Sequence, residues 1–492
     1  MRRQSHFLRG LTLAVSFAAL SAHAASLQEA ANALGASNLK SLEFSGSGHW
    51  FNFGQATAPD SVWPKFDVSS YEARINYEFP AAQVALTRIQ VVEPNRQRPA
   101  PTEQKLNWLV SGDKAWNFQP PNNAPPGAAS VATPQPAQVE QRISEIWETP
   151  QGFLKAALAN GAKSQASGAG VEVSFDSADK HHYIGFINAK NEVEWVRSWI
   201  DSPVLGDTLF ETKFKDYKDF GGVQFPAELT RVQGEHPVLH INVASARLNP
   251  GVDIAVPENV AGFKAEPPEV KSEKLAEGVY WLTGGTHHSV LIEQKDHVVL
   301  VEAPLNEERS LAVIAKVAEI APGKPIKYVV NSHVHFDHSG GLRTLVDAGA
   351  TVVTHELDKP YYEKVWAAPH TLRPDRLAQS KKPAKFETYA DKHVLSDGAR
   401  TIEIHRIAGN GHSDELALIY LPKEKILVEA DAYTPAAKDA PPPKTANPYS
   451  VNLYENIQKL KLDVAQIAGL HGPRIVTLAD LRAAIGQPPL AQ

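Results

Sequence analysis

The run His333-Val334-His335-Phe336-Asp337-His338-Ser339-Gly340-Gly341 sets three histidines and an aspartate close enough in sequence to offer their lone pairs to one small volume. Side chains alternate along extended backbone, so His333 and His335 project the same way and can reach one cation. A turn after them redirects Asp337 and His338 toward a second. A solvated loop has no use for this density of imidazole, and chance yields such a pattern in roughly one chain in a thousand. The chain has no cysteine, which excludes thiolate catalysis, iron–sulfur ligation and cysteine zinc sites. Any metal must therefore sit on nitrogen and oxygen, a donor set that suits zinc and tolerates iron or manganese.

Three later residues stand behind strand-like segments in the same manner. His412 lies in Gly409-Asn410-Gly411-His412-Ser413-Asp414, Asp431 closely follows the segment 426–429, and His471 lies in Gly469-Leu470-His471-Gly472. Together with the HxHxDH run, this order resembles the metallo-β-lactamase superfamily over about the last 220 residues. The resemblance implies His333, His335 and His412 on one metal, Asp337, His338 and His471 on another, and Asp431 between them. It implies a hydrolase, with two divalent ions, zinc foremost, whose bound hydroxide attacks a small ester, lactone, lactam or thioester. Asp337 can also orient the water or shuttle its proton.

One position departs from the pattern. Many members carry an aspartate where this chain has Glu302, a longer acid that would support the ligands differently. Tyr433, two residues beyond Asp431, is a candidate hydrogen-bond donor to a developing oxyanion. His287, His288 and His355 stand at strand ends but are expected to be structural or exposed. Gly340 and Gly341 allow close backbone approach. Relatives of this fold that reduce oxygen or nitric oxide at two irons resemble a pattern with Glu where His335 stands, and work with a flavin domain. A di-metal redox protein is thus the alternative within the fold.

The elements that must position these residues alternate between strand and helix. Segments 279–282, 290–293 and 298–302 read as successive strands, Asn306 caps a helix through 320, and 326–331 is a buried strand that delivers the HxHxDH run. A short helix over 341–347 and a strand over 351–354 follow. Further strands are expected at 401–407, 417–421, 425–429 and 466–470, with helices near 453–462 and from 478. Two such halves predict an αββα sandwich over 268–492.

Upstream the pattern differs. After a short helix over 27–39, the segments 71–77, 84–92, 171–175, 193–200, 208–217 and 238–246 alternate as strands between Gly, Pro, Asn and Asp turns, predicting a curved antiparallel β-rich domain over 25–265. The Pro- and Ala-rich stretch 119–138 is expected to be a flexible loop, and the prolines of 250–268 mark the boundary. The segments 195–200 and 220–226 faintly resemble periplasmic lipoprotein-carrier sheets, so a ligand- or lipid-binding module is a second reading of this half. The segment 434–448, with its Pro441-Pro442-Pro443 run, is a candidate rim beside the site.

The N-terminus supplies a compartment. Arg2, Arg3 and Arg9 precede an apolar run over 11–20 and the small-x-small motif Ala22-His23-Ala24, the signature of a signal peptide over 1–24 and of a periplasmic or secreted protein. The run is too short to span a bilayer, so no stable membrane insertion is expected. Of 49 basic and 55 acidic residues the leader holds three arginines and no acid, so the mature chain is the more acidic. An acidic chain with no basic tract disfavours nucleic acid and points to a small-molecule substrate. The sequence leaves oligomeric state open. The only methionine is Met1, so the mature protein would contain no sulfur and nothing on the sulfur oxidation ladder.

Overall fold

A computed structural model describes residues 26–121, 127–178, 180–438, 443 and 445–488. The expected leader, 1–24, lies outside them, as do 439–442 and 444 of the expected rim segment.

The first half is built on a thirteen-stranded sheet in which every neighbouring pair is antiparallel. Its first strand, Ser41–Phe51, pairs at mid-sheet with its last in sequence, His236–Leu248, so the ends of this half meet at the centre. Alternation sets the inner face: along Lys65–Asn76 the buried residues are Phe66, Val68, Tyr71, Ala73 and Ile75, with a register shift between Val68 and Ser70 that turns Tyr71 inward. Against that face pack Leu27–Ala33, Val139–Trp147 and Pro150–Ala159. Thr149 caps the last of these by accepting from the Gly152 N–H.

Two expectations are corrected here. The first helix stops at Ala33, with Gly35 in the left-handed region at φ +72°. The stretch 119–138 is not a loop throughout: Val131–Pro134 pairs with Lys114–Gln119 as an edge strand, and Pro136–Gln138 forms a turn of 3-10 helix. Pro134 ends the strand at the sheet edge, where a missing N–H costs no ladder bond. Residues 122–126 lie outside the described set.

The second half carries a seven-stranded sheet and a six-stranded sheet. The seven-stranded sheet begins antiparallel, through Lys271–Ala276, Val279–Thr283, Ser289–Glu293 and Val298–Val301, and continues parallel through Ile326–Val330, Thr351–His355 and Lys385–Tyr389. One apolar core draws Val290 and Val330 from this sheet and Ile419, Val428 and Ile467 from the other. A second core joins the outer face of the seven-stranded sheet to Val313 and Val317 of helix Glu307–Ile320. Asn306 caps that helix as expected, accepting from the Arg309 N–H. Burial on both faces explains why Val298–Val301 and Ala417–Leu421 are continuous apolar runs. No helix among the described residues is long and apolar enough to cross a membrane.

Candidate metal centre

Most of the ligand-type side chains sit just beyond the C-terminal ends of parallel strands, where chains leaving a sheet converge. Ile326–Val330 runs parallel to Val298–Val301 and delivers His333, His335 and, on the four-residue turn of helix Phe336–Ser339, Asp337 and His338. Ile426–Glu429 runs parallel to Gln466–Gly469, and these two strands deliver Asp431 and His471. His412 comes from the loop between Thr401–Arg406 and Ala417–Leu421.

All seven residues meet. The donor atoms of His333, His335, His412 and Asp431 lie within 4.8 Å of one another, and so do those of His287, Asp337, His338 and His471. Asp431 joins the two sets. Its Oδ2 is 3.2 Å from His333 Nε2, 3.0 Å from His338 Nε2 and 3.0 Å from His412 Nε2, and its Oδ1 is 2.9 Å from His471 Nε2. The Nε2 atoms of His412 and His333 face each other at 3.3 Å, and those of His471 and His338 at 3.0 Å. Imidazole nitrogens brought so close repel unless a proton or a cation lies between them.

Two further contacts fix the orientation of His333 and His335. Ser332 spends its hydroxyl proton on Glu302, so His333 Nδ1, 2.9 Å from that hydroxyl, donates to it and leaves Nε2 as a lone pair. His335 donates from Nε2 to the Ala56 carbonyl at 2.8 Å, and its Nδ1 is buried with no partner among the described residues. An orphaned buried nitrogen inside a ring of ligand-type atoms fits a metal site.

Glu302 organises the floor of the site. Fully buried and in the left-handed region at φ +73°, it accepts from His338 Nδ1 at 2.9 Å, Asn331 Nδ2 at 3.0 Å and both the N–H and hydroxyl of Ser332. Burial opposes its ionised form, but the bond to and charge of His338, together with His333 and the Ser332 hydrogen bond, hold the carboxyl below its usual range. Burial likewise opposes a charge on His338, yet Asp431 and Glu302 hold its pKa well above the ordinary histidine value. His333 goes the other way: burial and the neighbouring His338 charge push it down to about 4.

The first half of the chain reaches into this site. Gln55 Nε2 donates to Asp337 Oδ1 at 2.8 Å, beside the Ala56 carbonyl that holds His335. Gly54 makes the approach possible: its φ is +72°, and a Cβ there would stand 2.6 Å from the Phe336 ring. Around it, Arg96 makes a bidentate pair with Asp414, and the Asp414 N–H donates to the Thr57 carbonyl. Neither Gln55 nor Ala56 has a signal in sequence, because a lone glutamine and a backbone carbonyl look like any other.

His287, expected to be structural, is instead in the second donor set, donating to Asp337 Oδ2 at 3.2 Å. Its bridge to His471, between residues far apart in sequence, is what brings it there. His288 packs on Trp281 and bonds the Gly472 carbonyl, and His355 bonds the Ala390 carbonyl, so both are structural. Tyr433 is buried in the core between the sheets, with Asp480 and Arg474 the charges that act most on its phenol. No hydrogen bond among the described residues ties that phenol to the histidines.

A family model described as metallo-beta-lactamase superfamily matches residues 282–466. Solved structures that the chain is similar to include a metallo-beta-lactamase from Pontibacter korlensis, at 19% identity over 44% of this chain and 98% of that one, with a TM-score of 0.34. Another, from Hirschia baltica, shares 22% identity over 45% of this chain and 100% of that one, with a TM-score of 0.33. A rubredoxin oxygen:oxidoreductase from Desulfovibrio gigas shares 16% identity over 44% of this chain and 61% of that one, with a TM-score of 0.35. His471 lies just outside the segment matched by the family model and joins the site by geometry alone. Across residues 282–466, therefore, this chain carries a domain of the metallo-beta-lactamase superfamily.

Proposed function

We propose that this chain is an exported, metal-dependent hydrolase of a small ester, lactone, lactam or thioester, with its site at one edge of an αββα sandwich. The observation that carries the reading is Asp431, a carboxylate held within 3.2 Å of imidazoles from both donor sets. His333, His335 and His412 would hold one ion, and Asp337, His338 and His471 the other, with Asp431 shared. Bound there, two divalent cations, zinc foremost and iron or manganese compatible, lower the pKa of water toward ~7 and polarise the scissile group.

The chain's own residues do the rest. Glu302 and Ser332 fix the tautomers of His338 and His333, so that each presents Nε2 to the site. Asp337, held at Oδ1 by Gln55 and at Oδ2 by His287, is the carboxylate positioned to take a proton from the attacking water and return it to the leaving group. The leader over 1–24 directs the protein to the periplasm or beyond.

Gln55→Ala should leave the fold intact and weaken the hold on the ion at Asp337 by about 10- to 100-fold, the usual cost of losing a partner that orients a ligand. Competition with a chromogenic chelator measures this, and wild-type competition would show that Gln55 orients nothing. The reading as a whole is tested by a hydrolysis screen over lactams, lactones, esters and thioesters, with phosphodiesters and sulfate esters alongside. Hydrolysis lost to a chelator and restored by zinc supports it. A preparation fully active without metal, or one holding two irons with the visible absorption and oxygen consumption of a redox centre, overturns it.

A further inference from the structure

Away from the metal centre, the inner face of the thirteen-stranded sheet and helix Val139–Trp147 border a cavity of about 370 Å³. Pockets that take small molecules span roughly 300–1,000 Å³, with apolar walls and few polar groups. Here the walls are Phe44, Trp50, Tyr71, Val84, Trp108 and Leu239, with the Trp50 and Trp108 rings 5.0 Å apart. A close-packed interior would fill this space, because the residues facing a void lose contacts they would otherwise make.

Of the charges beside the cavity, Arg231 and the two glutamates are spent on one another, and Arg142 is spent on neutral oxygens. Arg231 pairs with Glu145 at 3.0 Å and lies 3.6 Å from Glu148, which accepts from Ser198 at 2.6 Å and Thr212 at 2.9 Å. Arg142 donates to the Leu109 and Trp116 carbonyls and to Asn117 Oδ1. The lining's other buried polar groups are uncharged, the Tyr71 phenol and the Gln233 amide among them. A cationic guest would find no free carboxylate, and an anionic one only the Arg142 guanidinium, whose N–H groups already serve three neutral oxygens, so either would be buried at high cost. Water would find few partners. What remains favourable is a hydrocarbon body, with the half-buried amides of Gln135 and Gln138 on the lining to meet an uncharged polar end.

We propose that this cavity is a binding site for an uncharged, hydrocarbon-bodied molecule such as a fatty alcohol or acyl ester, distinct from the metal centre. Phe53 lines the cavity, and its ring lies 5.1 Å from Phe336, the residue between His335 and Asp337.

The test titrates the full-length protein with N-phenyl-1-naphthylamine, a neutral fluorophore that brightens in apolar surroundings. Saturable binding of one probe per chain is expected, displaced by dodecanol or methyl laurate and at least ~10-fold less well by laurate, whose carboxylate would meet only an Arg142 already bonded to three neutral oxygens. Ala73→Phe should fill the space and abolish binding without lowering the unfolding temperature, and Ala82→Phe serves if that variant does not fold. Chelator-treated protein should bind the probe as well as untreated protein, which keeps this result independent of the metal reading. Absent or non-saturable binding, binding that survives a filled cavity, binding lost on chelation, or laurate competing as well as dodecanol each overturns the proposal.

Discussion

Replacing Asp431 with alanine should lower kcat/KM by at least about a thousandfold and cut bound metal from two ions per chain to one or none. Its two oxygens reach His333, His338, His412 and His471 at 2.9 to 3.2 Å, so one carboxylate bonds imidazoles of both donor sets. Without it, His333, His335 and His412 are left as a donor set with no carboxylate, and a pair of divalent cations would repel with nothing shared between them. A thousandfold corresponds to about 4 kcal/mol of lost transition-state stabilisation, within the several kcal/mol that metal ions supply to developing charge. Elemental analysis and kinetics on the best substrate of the screen measure both effects, with circular dichroism to show that the fold survives. A variant that keeps two ions and near-native turnover would remove Asp431 from the centre of the mechanism.

The second large effect is on stability. Glu302→Ala removes the acceptor for His338 Nδ1, Asn331 Nδ2 and the Ser332 hydroxyl, all fully or nearly fully buried. Each buried donor left without a partner costs about 1–3 kcal/mol, so for the three the loss should be about 3–9 kcal/mol. Domains of this kind are stable by only about 5–15 kcal/mol, so the variant should sit near its unfolding threshold at ambient temperature. Denaturant titration of the metal-stripped protein isolates this effect from metal binding. Glu302→Asp keeps the charge but ends one methylene short, and should recover part of the stability. If Glu302→Ala unfolds at the same denaturant concentration as the parent, the acid carries none of the load assigned to it.

Much of the centre is legible in the sequence because its logic is local. The HxHxDH run is contiguous, and His412, Asp431 and His471 each stand just past an apolar strand, so strand order alone places them at one edge. Glu302 is legible as an acid in an unusual position, although its bonds to His338, Asn331 and Ser332 depend on how two parallel strands are aligned. His287 was misjudged because it reaches the site through a pairing with His471, and no local period records such a contact. Helices Val139–Trp147 and Pro150–Ala159 were missed because each is short and lies against a Pro- and Ala-rich stretch whose composition masks them. Strand Val131–Pro134 escaped for the same reason: edge strands need little apolar content, and this one contains a proline.

The hydrogen bond from His335 to the Ala56 carbonyl has a thermodynamic consequence beyond the site itself. A ligand histidine anchored by the other half of the chain makes metal uptake and the docking of the two halves linked equilibria, and linkage is reciprocal. Whatever factor docking contributes to metal affinity, metal must return to docking. The metal-stripped protein should therefore open more often along this seam, exposing the 250–268 connection to proteases, and the loaded protein should behave as one cooperative body.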